Sequence, residues 1–156
     1  MRKNLLNSET GFGLLELLVV AGILSVSIIG LLNLFIFTST GAELARKKTL
    51  VLGEVQSKID EIRNYTFADI STDFASGGTM GDTFNLSSVN GMGAIYINSD
   101  NPELLYIAVS ASWEDKYGRI VGEDTDLNGY LDVGEDANGN GQLNSIVEVH
   151  TQIGDR

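Results

Sequence analysis

The sequence predicts an α+β protein in which one long N-terminal helix packs on a small antiparallel β-sheet. Two observations predict the helix. Phe12 to Phe37 carries one charged residue, Glu16, with only Ser25, Ser27 and Asn33 as scattered polar interruptions. Beyond it, apolar residues recur at three- and four-residue spacing as far as about Tyr65, the period of an amphipathic helix. A third observation predicts the sheet: later segments alternate apolar and polar residues between loops rich in Gly, Asn and Asp, the period of a half-buried strand.

The first half of the helix is expected to span a membrane. A helix of roughly 26 residues exceeds the about 20 that a bilayer requires. Arg2 and Lys3 precede the run, which keeps the N-terminus cytoplasmic and sends the rest outward. A cleaved secretory signal has a shorter apolar core followed by small residues, and "LFIFTSTGAEL" offers no such site. Glu16 is the anomaly, because a carboxylate in a spanning segment costs a few kcal/mol, about 3 on insertion scales. In the second half, Leu52, Val55, Ile59 and Ile62 form one stripe, while Arg46, Lys47, Lys48, Glu54, Lys58, Asp60, Glu61 and Arg63 fill the other faces. Lys47 and Lys48 read as a solvated face near the outer lipid surface. A continuous helix from Phe12 to Tyr65 is about 80 Å long at about 1.5 Å per residue.

From Thr66 to about Gly93 the composition predicts a long loop with one short strand near Phe84 to Val89. Ala94 to Asn98 reads as a strand, and "SDNPE", with the only proline, Pro102, as a turn. In Leu104 to Glu114, Leu105, Ile107, Val109, Ala111 and Trp113 share one face, with Trp113 as a core anchor. In Ile146 to Ile153, Val147, Val149, Thr151 and Ile153 oppose Glu148, His150 and Gln152. His150, the only histidine, is expected at the surface. Ten basic against 21 acidic residues give a net charge of −11, which argues against nucleic-acid binding. Without cysteine there is neither a disulfide nor a thiolate site. With no second histidine, phosphate loop or separate carboxylate pair, the chain is not expected to be an enzyme.

Between the last two strands runs "EDTDLNGYLDVGEDANGNGQLN". Its first part fits the calcium-loop pattern D-x-[DN]-x-[DN]-G-x5-E. Asp124, Asp126 and Asn128 take the first ligand positions, Gly129 the sharp turn, Tyr130 the backbone carbonyl, Asp132 a direct or water-mediated place and Glu135 the bidentate carboxylate. Leu131 stands in the apolar slot. Calcium takes six to eight oxygens, and alternate side chains turn inward as the chain wraps it. A second, weaker loop repeats the pattern with Asp136, Asn138, Asn140, Gly141, Gln142 and Asn144, and Leu143 in the apolar slot. It fails at its twelfth position, where Val147 replaces glutamate. That site is weak, absent, or completed by Glu135 or Asp132. Whether one or two ions bind is left open.

"GFGLLE", Gly11 to Glu16, places glutamate fifth from the phenylalanine after a glycine. It resembles the type IV prepilin signature, shared by pilins and by type II secretion pseudopilins. The strict motif covers about six residues, and the short charged leader and long apolar helix extend the match. The resemblance implies the pilin fold, cleavage between Gly11 and Phe12 by a prepilin peptidase, and methylation of the new N-terminus. It also implies that Glu16 pairs with the amine of a neighbouring subunit. Two positions depart from the pattern. Thr10, after Glu9, stands where a basic residue is common, and Gly30 and Asn33 occupy the region where pilins often carry proline, which leaves a kink near Gly30 open. The C-terminal hairpin is similar, more loosely, to minor pilins of the PilV type, with the acidic loop as an insertion in its turn. There calcium takes the place of the disulfide of some pilins.

The expected organisation is a leader at 1–11, a membrane or filament-core helix at 12–37, its amphipathic continuation at 38–65, and a β-rich head at 66–156 with a calcium loop at 123–145. The expected function is that of a minor pilin or pseudopilin in a type IV pilus or related filament. Its partners are the peptidase, other pilins and inner-membrane lipid. It passes once through the inner membrane before joining a periplasmic or extracellular filament. A membrane-anchored, calcium-dependent adhesin or sensor that never enters a filament is the alternative.

Overall fold

A computed structural model describes residues 13–155. Gly11 and Phe12, the expected processing site, and the leader lie outside the described residues. The chain divides into two compact units, with the boundary between Ala42 and Glu43. Helix α1 runs Leu14–Ile62 and contributes to both, stopping three residues short of the expected Tyr65.

In the first unit, α1 passes through Gly22, Gly30 and Asn33 without a break in its helical assignment. Its side chains from Leu14 to Phe37 are exposed on every face. Four hydroxyls are satisfied within the helix: Ser25, Ser27 and Thr40 each donate to the carbonyl four residues back, and Thr38 donates to those of Leu34 and Phe35. Such bonding lets these hydroxyls do without water. The segment is long and apolar enough to cross a membrane. Glu16 sits exposed in the first turn, where the helix dipole favours a negative charge, and no described residue pairs with it.

In the second unit, α1 buries Val51, Val55, Ile59 and Ile62, one residue every turn. The stripe begins at Val51; Leu52 packs only at its margin. It meets Ile95, Leu105, Ile107, Val109, Ala111, Trp113 and Val147 of the sheet side. A short helix in the stretch expected to be loop, α2 (Phe67–Asp73), adds Ile70, followed by Phe74 at its C-terminal cap. Thr66 caps α2 by accepting from the Asp69 amide. Seven residues are too few to display a helical period, so the Ile70/Phe74 spacing was the only cue.

The sheet is antiparallel throughout: β1 (Thr83–Asn85), β2 (Gly91–Asn101), β3 (Leu104–Glu114), β4 (Ile120–Val121) and β5 (Glu148–Gly154). β3 has the expected bounds and its expected inner face is buried. β1 occupies the start of the strand expected at 84–89, and the chain then turns at 87–90. There the amides of Ser87 and Ser88 donate to Glu54 of α1 at 2.7 and 2.8 Å, which ties the turn to the helix. Lys47 also departs from a purely solvated role. Its ammonium donates to the Glu114 carbonyl at 3.2 Å, and Lys116 pairs with Glu43 at 3.0 Å.

The topology corrects one expectation. β2 occupies one edge of β3, and both β4 and β5 pair with the other. The hairpin turn at 115–119 is short and closed by Asp115, whose amide donates to the Arg119 carbonyl at 2.8 Å. The acidic loop is therefore inserted in the returning strand and not in the turn. Trp113 pairs with Val121, so a strand continuing in that register would set residue 124 opposite Ser110. Glu148 stands there instead, 24 positions on, the length of two twelve-residue loops.

Candidate metal centre

The inserted segment returns across the sheet face opposite α1. Ser110 and Ser112, which point away from the helix, are both 3% exposed, and Ser110 donates to the Leu143 carbonyl at 2.5 Å. Leu143 itself is buried, whereas Leu131, its counterpart in the first loop, is partly exposed. The second loop thus anchors the insertion to the sheet.

The two loops fold alike, residue for residue. Asp124 accepts from the amides of Asn128 (3.1 Å) and Gly129 (2.8 Å); Asp136 accepts from those of Asn140 (3.0 Å) and Gly141 (2.8 Å). Asp126 accepts from the Asn128 amide and Asn138 from that of Asn140. The side-chain oxygens of Asn128 and Asn140 accept from Tyr130 and Gln142. At the ninth position, Asn128 donates to Asp132 and Asn140 to Asn144, both at 2.8 Å. The sixth position of each loop is left-handed, Gly129 at φ 82° and Gly141 at 76°, where glycine avoids the Cβ penalty. So is the fourth, Gly139 at 74° and Leu127 at 58°; Leu127 is the only described non-glycine residue with positive φ.

In the first loop, carboxylate oxygens of Asp124, Asp126 and Glu135 all lie within 4.8 Å of one another. Asp124 is 1% exposed and Glu135 6%, while Asp126 faces solvent. Asp132 joins the same group through Asn128, and the Tyr130 side chain points outward, exposed. Two buried like charges at this separation repel by about 3 kcal/mol at an effective dielectric constant near 20. Burial pushes the Asp124 carboxyl up from its ordinary value, and the Glu135 charge adds to this against the two amide hydrogen bonds. Glu135 is also penalised by burial. It is held below its ordinary value all the same, because Thr125 donates both its amide and its hydroxyl to one oxygen at 2.6 Å and the Asp132 amide donates to the other at 3.1 Å. One loop thus sets a stabilised carboxylate beside a buried acid whose charge is disfavoured, a pairing that a bound cation would relieve. The donors are all oxygens, the set that suits a hard divalent cation.

The second loop ends differently. Its twelfth residue, Val147, is buried against the core, and its carbonyl accepts from the Ala111 amide at 3.1 Å. The chain must rejoin the sheet there, which excludes a charged side chain. A carboxylate from outside the second loop nevertheless meets its ninth-residue amide. In the first loop the ninth-residue amide, Asp132, donates to Glu135; in the second, the Asn144 amide donates to Glu123 at 2.7 Å. Glu123 therefore accepts from the second loop's ninth-residue amide as Glu135 does in the first. Its only sequence cue was an acid immediately before the first ligand.

No protein-family model matches the chain, and no curated protein or solved structure is significantly similar to it.

Proposed function

We propose that the chain is a minor pilin or pseudopilin, a subunit of a type IV pilus or related filament whose head is stapled by calcium. One observation carries this reading: α1 is apolar on all faces through its first half, with a single carboxylate in its first turn, and then becomes the amphipathic core helix of a β-rich head. A one-way membrane anchor has no use for that carboxylate. A filament subunit does, if cleavage after Gly11 creates an amine at Phe12 one helical turn from Glu16. Buried alone, either charge costs several kcal/mol, about 3 to 5; paired, the two roughly balance and fix the register of neighbours. On this reading the chain waits in the inner membrane, is cut by the prepilin peptidase, and enters a filament whose core excludes water. Calcium bound by Asp124, Asp126, Asn128, Asp132 and Glu135, with the Tyr130 carbonyl, would hold the insertion against the sheet. Incorporation tests the reading. Glu16→Ala is expected to be processed normally yet to be at least tenfold depleted from sheared filaments. Wild-type levels of the variant in filaments would contradict the pairing.

A further inference from the structure

The outer face of the sheet is only partly covered by the acidic insertion. At its open end lies a depression of about 600 Å³, within the range of small-molecule sites. The strand register explains it. One row across the sheet reads Tyr96, Ala108, His150 and the next Asn98, Tyr106, Gln152. Ala108 is the only small side chain of the six, so it floors a hollow. Tyr96 and His150 stand on either side, two strand spacings or about 10 Å apart at the backbone. Tyr106, 45% exposed, presents its ring from the neighbouring row. Gln142, from the second acidic loop, closes one end.

The uncommitted polar groups here are amides and phenols, since Thr151 accepts from Arg63. The side-chain amides of Gln142 and Gln152 and the Tyr106 hydroxyl make no hydrogen bond to any described residue. Tyr96 accepts from the Leu143 amide at 2.8 Å and keeps its own O–H to donate. Asn98 is engaged by Asp100 at the rim, and His150 by Glu148 at 2.9 Å. Amides and phenols each both donate and accept, which is what a row of hydroxyl groups requires. An aromatic face supplies rigid apolar contact area at little entropic cost. No lining side chain carries a fixed charge, and a chain of net charge −11 repels anions. We propose that this hollow binds a neutral carbohydrate, one pyranose ring lying over Ala108 against Tyr106 with its hydroxyls shared among Gln142, Gln152 and Tyr96.

The test uses the full chain in lipid nanodiscs and the methyl glycosides of glucose, galactose and N-acetylglucosamine as probes. Saturation-transfer NMR is expected to show transfer to the ring protons of at least one probe. Tyr106→Ala, at an exposed position, should weaken that probe at least tenfold with an unchanged circular dichroism spectrum. Ala108→Leu should fill the hollow and abolish transfer. Absence of transfer from all three probes to the wild-type chain would overturn the proposal, as would equal transfer to the Tyr106→Ala chain.

Discussion

Occupation of the Asp124–Glu135 loop by calcium should stabilise the head by an amount that can be worked out in advance. The insertion closes on itself through like-charged groups, so in chelator Asp124 and Glu135 repel by about 3 kcal/mol. A ligand that binds only the folded state adds RT ln(1 + [L]/Kd), or about 2.7 kcal/mol at a hundred times Kd. Exported calcium modules have Kd values of about 10⁻⁴ to 10⁻³ M, so calcium at about 10 mM approaches that excess at the tighter end. For a unit of roughly a hundred residues this corresponds to a rise in melting temperature of about 10 °C. Differential scanning calorimetry in EGTA and in calcium, with magnesium as the control ion, reads it directly. Asp124→Asn should remove at least half of the rise while leaving the fold intact, since an asparagine oxygen can still accept from the Gly129 amide. Equal melting temperatures in EGTA and calcium would refute the reasoning, as would a rise that survives in the double variant of Asp124→Asn and Glu135→Gln.

Because burial raises the Asp124 carboxyl, protons should compete with the cation, and the calcium-dependent rise should shrink as pH falls from about 7 to about 5 in the same calorimetric series. Without calcium the sign reverses for this group: the folded state binds its proton more readily, so its ionisation costs stability as pH climbs through the raised pKa. Glu54 behaves oppositely. The Ser87 and Ser88 hydrogen bonds hold it below its ordinary value near 4.5 against the opposing effect of burial, so its contribution is complete above that value and is lost as pH falls through the depressed one. Glu54→Gln should cost about 1 to 2 kcal/mol at neutral pH in urea unfolding and show a flatter acid limb. Gly141→Ala should cost about 1 kcal/mol for its left-handed backbone alone, since no atom lies within 4 Å of the added Cβ. Gly129→Ala should cost about 2 to 3 kcal/mol, because its Cβ would also meet Thr83 of β1 at 2.8 Å. Equal losses for the two glycines would show that the first loop does not bear on β1.

The long-range organisation of the chain was written in its periodicities. Val55, Ile59 and Ile62 recur at helical spacing and lie buried; Leu105 to Trp113 alternate and all five face the core. The first acidic loop was legible because a calcium-loop pattern demands acids at alternate positions and a glycine at the sixth, and Asp124, Asp126 and Glu135 do converge. What escaped was set by tertiary context. β4 has two residues, defined only by its partner, Trp113 with Glu114. The insertion looked like a long turn because the strand it interrupts resumes only at Glu148, and no local feature marks two distant segments as one edge. Glu123 lies outside the twelve-residue pattern and reaches the second loop only because the insertion starts and finishes beside β3. Val147 brings no carboxylate to the second loop. The reason lies in the core: that residue is the first to return to it.

A leader peptidase leaves a mark that no tethered domain acquires by chance. Intact-mass and N-terminal sequencing of the chain recovered from membranes and sheared filaments of cells carrying the full secretion machinery decides the matter. The account predicts a mature form that begins at Phe12 with one added methyl group, and its disappearance in a Gly11→Val variant. Recovery of the chain only with Met1 to Gly11 still attached, in membranes and filaments alike, would contradict it.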